Sequence, residues 1–326
     1  MTNRACRANT ATRVKSILVG SRAQESMTKV AQHQAGFVLL WAVSLIVWWR
    51  PLVATFALAL RDDQYTHLLL ILPISAALIF QERRTLRTMV TMNLRIGAAF
   101  LAFAVLIVLS ALVWPVSLPP DVRLSLTMSA LVVSWIGAFV LCFGLRASRL
   151  VVFPLCFLLG LVPLPQAALS TIVALLQLGS AWTAHGLFAA FGVPVAQDGV
   201  LLTIPGLTLQ VAQECSSIRS SSMLLVTCIV LAQVLLRSPW RKAFVIGLAV
   251  PLSVAKNGLR IFTIAMLGTR VDPGYLTGRF HHQGGIVFFA IALIAVFVLL
   301  WILRRGEESS RSSRLKLKES KATGDC

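Results

Sequence analysis

Apolar residues run along this chain in eight long blocks, at 36–49, 68–80, 96–114, 124–145, 150–162, 222–236, 243–267 and 285–303. A membrane-crossing helix needs about 20 apolar residues, so the shorter blocks borrow from their flanks to reach that length. The blocks predict about eight transmembrane helices. A ninth apolar stretch, 166–191, differs in pattern. It carries no charge, and Gln166, Ser170, Gln177 and Ser180 fall on one helical face. That face predicts a small extracytoplasmic amphipathic helix lying at or dipping into the membrane interface, before the sixth span; the alternative is a true span, with another block miscounted. From Gly192 to Val211 short apolar pieces are separated by the turn signals Asp198-Gly199 and Pro205-Gly206. They predict a small β-meander leading into Cys215. The expected fold class is therefore an all-α polytopic membrane protein with a minor β element.

Composition agrees. Of the 326 residues 57% are hydrophobic and only 13% charged, with a mean hydropathy of +0.81. That excludes a soluble enzyme and a disordered chain. The formal net charge of +18 would suit a nucleic-acid binder only if it lay on a polar surface, which this chain lacks; a lipid bilayer, not nucleic acid, is the expected partner.

The distribution of that charge is informative. Of the 30 Lys and Arg residues, 22 fall before residue 36, in 81–95, 146–149 and 237–242, or after 303. An eight-span topology puts all of them on one side. The positive-inside rule makes that side the cytoplasm, with both termini there. If 166–191 crossed as a ninth span, the later clusters would be moved outside. Residues 1–34 and 304–326 read as basic cytoplasmic tails, the first disordered, flanking one membrane domain over 35–303. Residues 1–34 lack an apolar core, so the first span is expected to act as the anchor, and Met27 is an alternative start.

No cofactor or metal motif is present. Of the six cysteines, Cys6 and Cys326 lie in the tails and Cys142, Cys156 and Cys228 inside apolar blocks, and no spacing suggests zinc or iron–sulfur. Cys215 is placed differently, where the meander ends and the sixth span begins. A thiol at a helix N-terminus is favoured as thiolate, with Arg219 one turn further on; packing is the alternative role. In the seventh span Arg260 lies about 26 Å from the cytoplasmic start, at 1.5 Å per residue. Lys256 stands one turn earlier and Asn257 three residues earlier. An Arg within an apolar helix is costly unless it is paired, functional or snorkelling to headgroups. At the start of the eighth span come His281 and His282, suited either to proton transfer or to an ordinary interfacial place. Adjacent residues on a helix cannot both face one site. A thiolate attacking a carbonyl, a histidine moving the proton and an arginine steadying the oxyanion make up acyl-transfer chemistry on a peptide bond.

These residues resemble the exosortase/archaeosortase family of membrane transpeptidases. Glu214-Cys215-Ser216-Ser217-Ile218-Arg219-Ser220 resembles its Cys-Ser-Gly-hydrophobic-Arg-Ser motif, with Ser217 where the family has Gly. Asn257-Gly258-Leu259-Arg260-Ile261 resembles its Asn-x-x-Arg motif. Phe280-His281, followed by Gly285 and Phe289, resembles its final His motif. The early Asp62-Asp63-Gln64-Tyr65-Thr66-His67 and Pro163-Leu164-Pro165 are similar too. The resemblance implies a membrane-embedded cysteine protease/transpeptidase needing no cofactor. Its partners would be membrane-anchored substrate proteins bearing a C-terminal sorting signal, processed at the outer face of the cytoplasmic membrane. It implies Cys215 as nucleophile, Arg260 as oxyanion or positioning group and His281 as acid/base, with Arg219, Asn257 and His282 in support. His281 is preferred to His282 because it keeps the spacing to Gly285 and Phe289. The rival is a non-enzymatic transporter or polysaccharide-export membrane component, which predicts ionisable residues near mid-bilayer.

Overall fold

The computed structural model describes residues 32, 34–89, 91–113, 118–211, 218–274 and 279–324, without the side chains of 87, 279–284 and 310–324. The basic tail before residue 32 and Cys215 lie outside the described residues.

Among the described residues seven helices are long and apolar enough to cross a membrane, eight if a bent pair near the start is one span. This is the expected multi-pass α-helical architecture. Two compact units divide it: residues up to Arg61 with Leu68–Pro165, and Asp62–His67 with Gln166 onward.

The first unit opens with α1 (Gln34–Val47) and α2 (Trp49–Arg61), bent 72° between them. Pro51 accounts for the bend: it has no N–H for the Val47 carbonyl, and its ring crowds that carbonyl. Then come α3 (Leu68–Gln81), α4 (Arg83–Thr88), α5 (Leu94–Val113), α6 (Pro120–Leu150) and the short α7 (Val152–Phe157), extended by a 3₁₀ turn, Leu158–Leu161. Gly97 of α5 lets α6 approach closely, since a Cβ there would lie 2.5 Å from that of Leu141. Helix α6 breaks at Gly144, whose φ of 80° and ψ of 173° an L side chain rarely adopts. Aromatic rings fasten α1 to α6: Phe37 meets Phe139 and Phe143 edge-on, and Trp135 Nε1 donates to Ser44 Oγ at 2.7 Å.

The second unit contains the 3₁₀ turn Asp63–Tyr65, α8 (Gln166–Ala190), strands β1 (Ala196–Asp198), β2 (Leu201–Ile204) and β3 (Leu207–Gln210), then α9 (Ile218–Leu235), α10 (Pro239–Arg270) and α11 (Arg279–Gly324). The strands form the expected antiparallel meander, with Asp198 opposite Leu201 and Ile204 opposite Leu207. Alternation sends Leu202 and Ile204 inward against Phe188, Ile261 and Phe262. Helices α9, α10 and α11 share a second core. Leu224, Cys228, Ala232 and Leu236 recur every fourth residue, and they meet Val245, Ala249, Ala292, Val296 and Leu300.

Three segments bear on the expected layout. Block 150–162, counted as a span, is a six-residue helix and a 3₁₀ turn, too short to cross alone as a helix. Segment 166–191, expected at the interface, is a 25-residue helix long and apolar enough to cross. Its contacts with α10 advance together, from Gly179–Val254 through Ser180–Asn257 to Phe188–Phe262, so the two helices run in the same direction. Two residues of its polar face are bonded inside the protein: Gln177 Nε2 donates to the Val211 carbonyl at 3.0 Å, and Ser180 accepts from Asn257. Polar periodicity alone cannot tell a wet face from one bonded to a neighbouring helix. Residues 304–324, expected as a tail, continue α11 as helix.

Candidate active site

Helix α10 carries the densest polar group. Lys256, Asn257 and Arg260 are 6%, 1% and 8% exposed. Lys256 is the eighteenth of the helix's 32 residues, and Arg260 precedes Arg270, its last residue, by ten. At 1.5 Å per residue Arg260 is thus about 15 Å from that end. Burying an ammonium or guanidinium costs several kcal/mol unless partners compensate, so the surroundings matter.

They come from three sides of the same unit. From α8, Ser180 gives its hydrogen to the Leu176 carbonyl at 2.6 Å and accepts from Asn257 Nδ2 at 2.9 Å. From α9, three successive residues of the first turn are tied down. Arg219 Nη1 meets Asp63 Oδ1 at 2.8 Å, Ser220 Oγ accepts from Lys256 Nζ, and Ser221 Oγ pairs with Ser253 Oγ at 2.5 Å. From α11, Gly285 lies against the Arg260 guanidinium, where a Cβ would stand 3.8 Å from Nη1, ordinary contact distance. The segment Asp62–His67 is held locally as well: Asp62 Oδ1 caps its turn by accepting from Gln64 N at 2.9 Å, and Tyr65 is buried.

The structure thus brings Arg260, Asn257, the first turn of α9 and Gly285 of α11 together. Cys215 lies three residues before the start of α9. His281 and His282 are in the first turn of α11, His281 one helical turn before Gly285, and their side chains lie outside the description. Arg219 is half-exposed and ion-paired with Asp63. Sequence reasoning noted Lys256 only as a neighbour of Arg260 and missed its tie to Ser220, as it missed the Asp63–Arg219 pair. The signal for Lys256 was present, because a lysine mid-way along an apolar helix needs a reason. Its partner could not be found without knowing how α9 packs on α10. Among the described residues no group of three or more His, Cys, Asp or Glu side chains is placed to hold a metal ion.

The sequence model of the transmembrane exosortase family matches residues 48–298. The chain belongs to that family. It is a family of membrane transpeptidases and proteases, and the matched stretch takes in both units from α2 into α11. Neither a curated protein nor a solved structure matches this exosortase.

Proposed function

We propose that this exosortase is a cysteine-type transpeptidase or protease that processes the C-terminal sorting signal of exported proteins. The signal would consist of a short motif such as Pro-Glu-Pro, an apolar helix and a basic cluster. The site would face the extracytoplasmic side of the cytoplasmic membrane, with both basic ends of the chain in the cytoplasm. In this reading the Cys215 thiolate attacks the scissile carbonyl and Arg260 stabilises the oxyanion. The C–N bond then breaks as His281 delivers a proton to the leaving amine, giving a thioester on Cys215. An incoming amine or water, deprotonated by His281, releases the product and restores the thiol. The observation that carries the reading is the Arg260 guanidinium, buried in an apolar helix, against Gly285, one turn after His281. Asn257 and Arg219 support it by holding α10 to α8 and α9 to Asp63; His282 is the adjacent alternative to His281.

Lys256, near the middle of α10, is a feature that suits a non-enzymatic transporter instead. The test is Cys215→Ala, co-expressed with an exported reporter bearing such a signal. Processing is expected to be abolished while the variant accumulates as a folded membrane protein. Unchanged processing sinks the cysteine mechanism. Arg260→Lys, which keeps the charge but not the planar fork, is expected to slow processing by about 10²-fold.

A further inference from the structure

Asn257 holds a hydrogen-bonding group that the resting protein does not use. The orientation of its amide follows from Ser180. That hydroxyl spends its only hydrogen on the Leu176 carbonyl at 2.6 Å, so toward Asn257 it can only accept, and the group facing it at 2.9 Å must be the NH₂. Oδ1 therefore points elsewhere. It is shut away from solvent in a residue only 1% exposed, and among the described residues it has no hydrogen-bond partner. A buried acceptor without a donor is unfavourable, and native proteins rarely keep one without cause.

Its neighbours limit which donor it could take. Lys256 precedes it directly, and Arg260, three residues on, lies on the same face of α10. Two positive charges at that range repel a cationic donor, which leaves a neutral N–H or O–H. We propose that Asn257 Oδ1 is a substrate-contacting group that accepts a backbone N–H from the peptide segment being processed, beside the Arg260 guanidinium. This rests on the peptidase reading and adds a second anchor to it: Arg260 addresses an oxygen of the chain, Asn257 a nitrogen. The peptide class follows from the donor, since an extended segment presents a neutral N–H at every non-proline residue.

The experiment replaces Asn257 with leucine, similar in volume and without either polar atom, in the full-length protein in detergent and in cells with the reporter above. If Oδ1 is held vacant for substrate, Asn257→Leu unfolds at a higher Tm than Ser180→Ala, which removes the same inter-helix bond but keeps the orphaned acceptor. Processing then falls about tenfold or more, the worth of one hydrogen bond left unmade in a buried site, and the loss shows in KM more than in kcat. Asn257→Asp, which retains an acceptor, recovers part of it. A Tm for Asn257→Leu below that of Ser180→Ala would show that the resting protein already satisfies Oδ1, with a water for instance, and would overturn the proposal. Wild-type processing by Asn257→Leu would overturn it too. Persistence of processing in Cys215→Ala would instead overturn the peptidase reading, while the Tm comparison would still decide whether the acceptor is vacant.

Discussion

The two units are built from similar apolar helices, yet they bury different things. In the first, the buried polar residues among those described are Thr55, Ser75, Ser125 and Ser148. Ser148 donates to the carbonyl four residues back, Ser125 shares its one hydrogen between the Asp121 carbonyl at 2.9 Å and the Pro163 carbonyl at 2.6 Å, and the Thr55 and Ser75 hydroxyls have no partner among the described residues; none of the four carries a charge. In the second they are Ser180, Ser253, Lys256, Asn257 and Arg260. Two of these are cations and one is an amide with an unused acceptor. A hydroxyl bonded to its own helix costs little, whereas a buried cation is retained at the expense of stability. Unpartnered buried oxygens occur in both units, so what separates them is the pair of buried cations in the second, the kind of costly burial expected where chemistry is performed.

The comparison is most open to attack at Gly144. A Cβ there would fall 1.6 Å from the Thr91 carbonyl oxygen, at a φ of +80°. Neither strain nor clash can be relieved by a side-chain rotation. Gly144→Ala is expected to destabilise by more than about 4 kcal/mol, read as loss of folded protein on size-exclusion chromatography. A well-folded variant would mean that the first unit is less tightly specified than its packing suggests. In the second unit the expected sign reverses. Lys256→Met keeps the aliphatic stem and removes a buried charge one turn from Arg260, so it should raise stability by about 1–3 kcal/mol. Thermal unfolding in detergent checks it, and a fall in Tm would show that the Ser220 contact outweighs the burial cost. The smallest effect belongs to Asp63→Asn. Its ion pair with Arg219 is 56% and 76% exposed; the loss should stay below about 1 kcal/mol and shrink further in high salt.

Much of this was legible in the sequence, and the parts that were not share a cause. Apolar runs and turn residues are local signals, and they located the helices and the meander. The status of 150–162 and 166–191 depended on partners. Without α10 in view, the Ser180 and Gln177 side of α8 looks like a face for water. The short helix after Val151 looks like a span because its residues are apolar, although apolar residues also line an interior. At the site, Arg260 and Asn257 stood out because polar groups in an apolar helix are conspicuous wherever they occur. The three ties on the first turn of α9 did not, because serine is unremarkable until its neighbour is known to be a lysine from another helix.

Glu307 draws a consequence about the order in which the protein is made. Its two carboxylate oxygens accept from the backbone N–H groups of Arg237 at 3.0 Å and Ser238 at 2.8 Å, and Arg241 reaches the Leu303 carbonyl alongside. The turn into α10 is thus held by a residue 69 positions after Ser238. During synthesis those two N–H groups have only water to donate to until Glu307 and the helix that carries it are in place. A chain cut short before residue 307 would keep Lys256, Asn257 and Arg260 but lack the tie that fixes the entry to their helix.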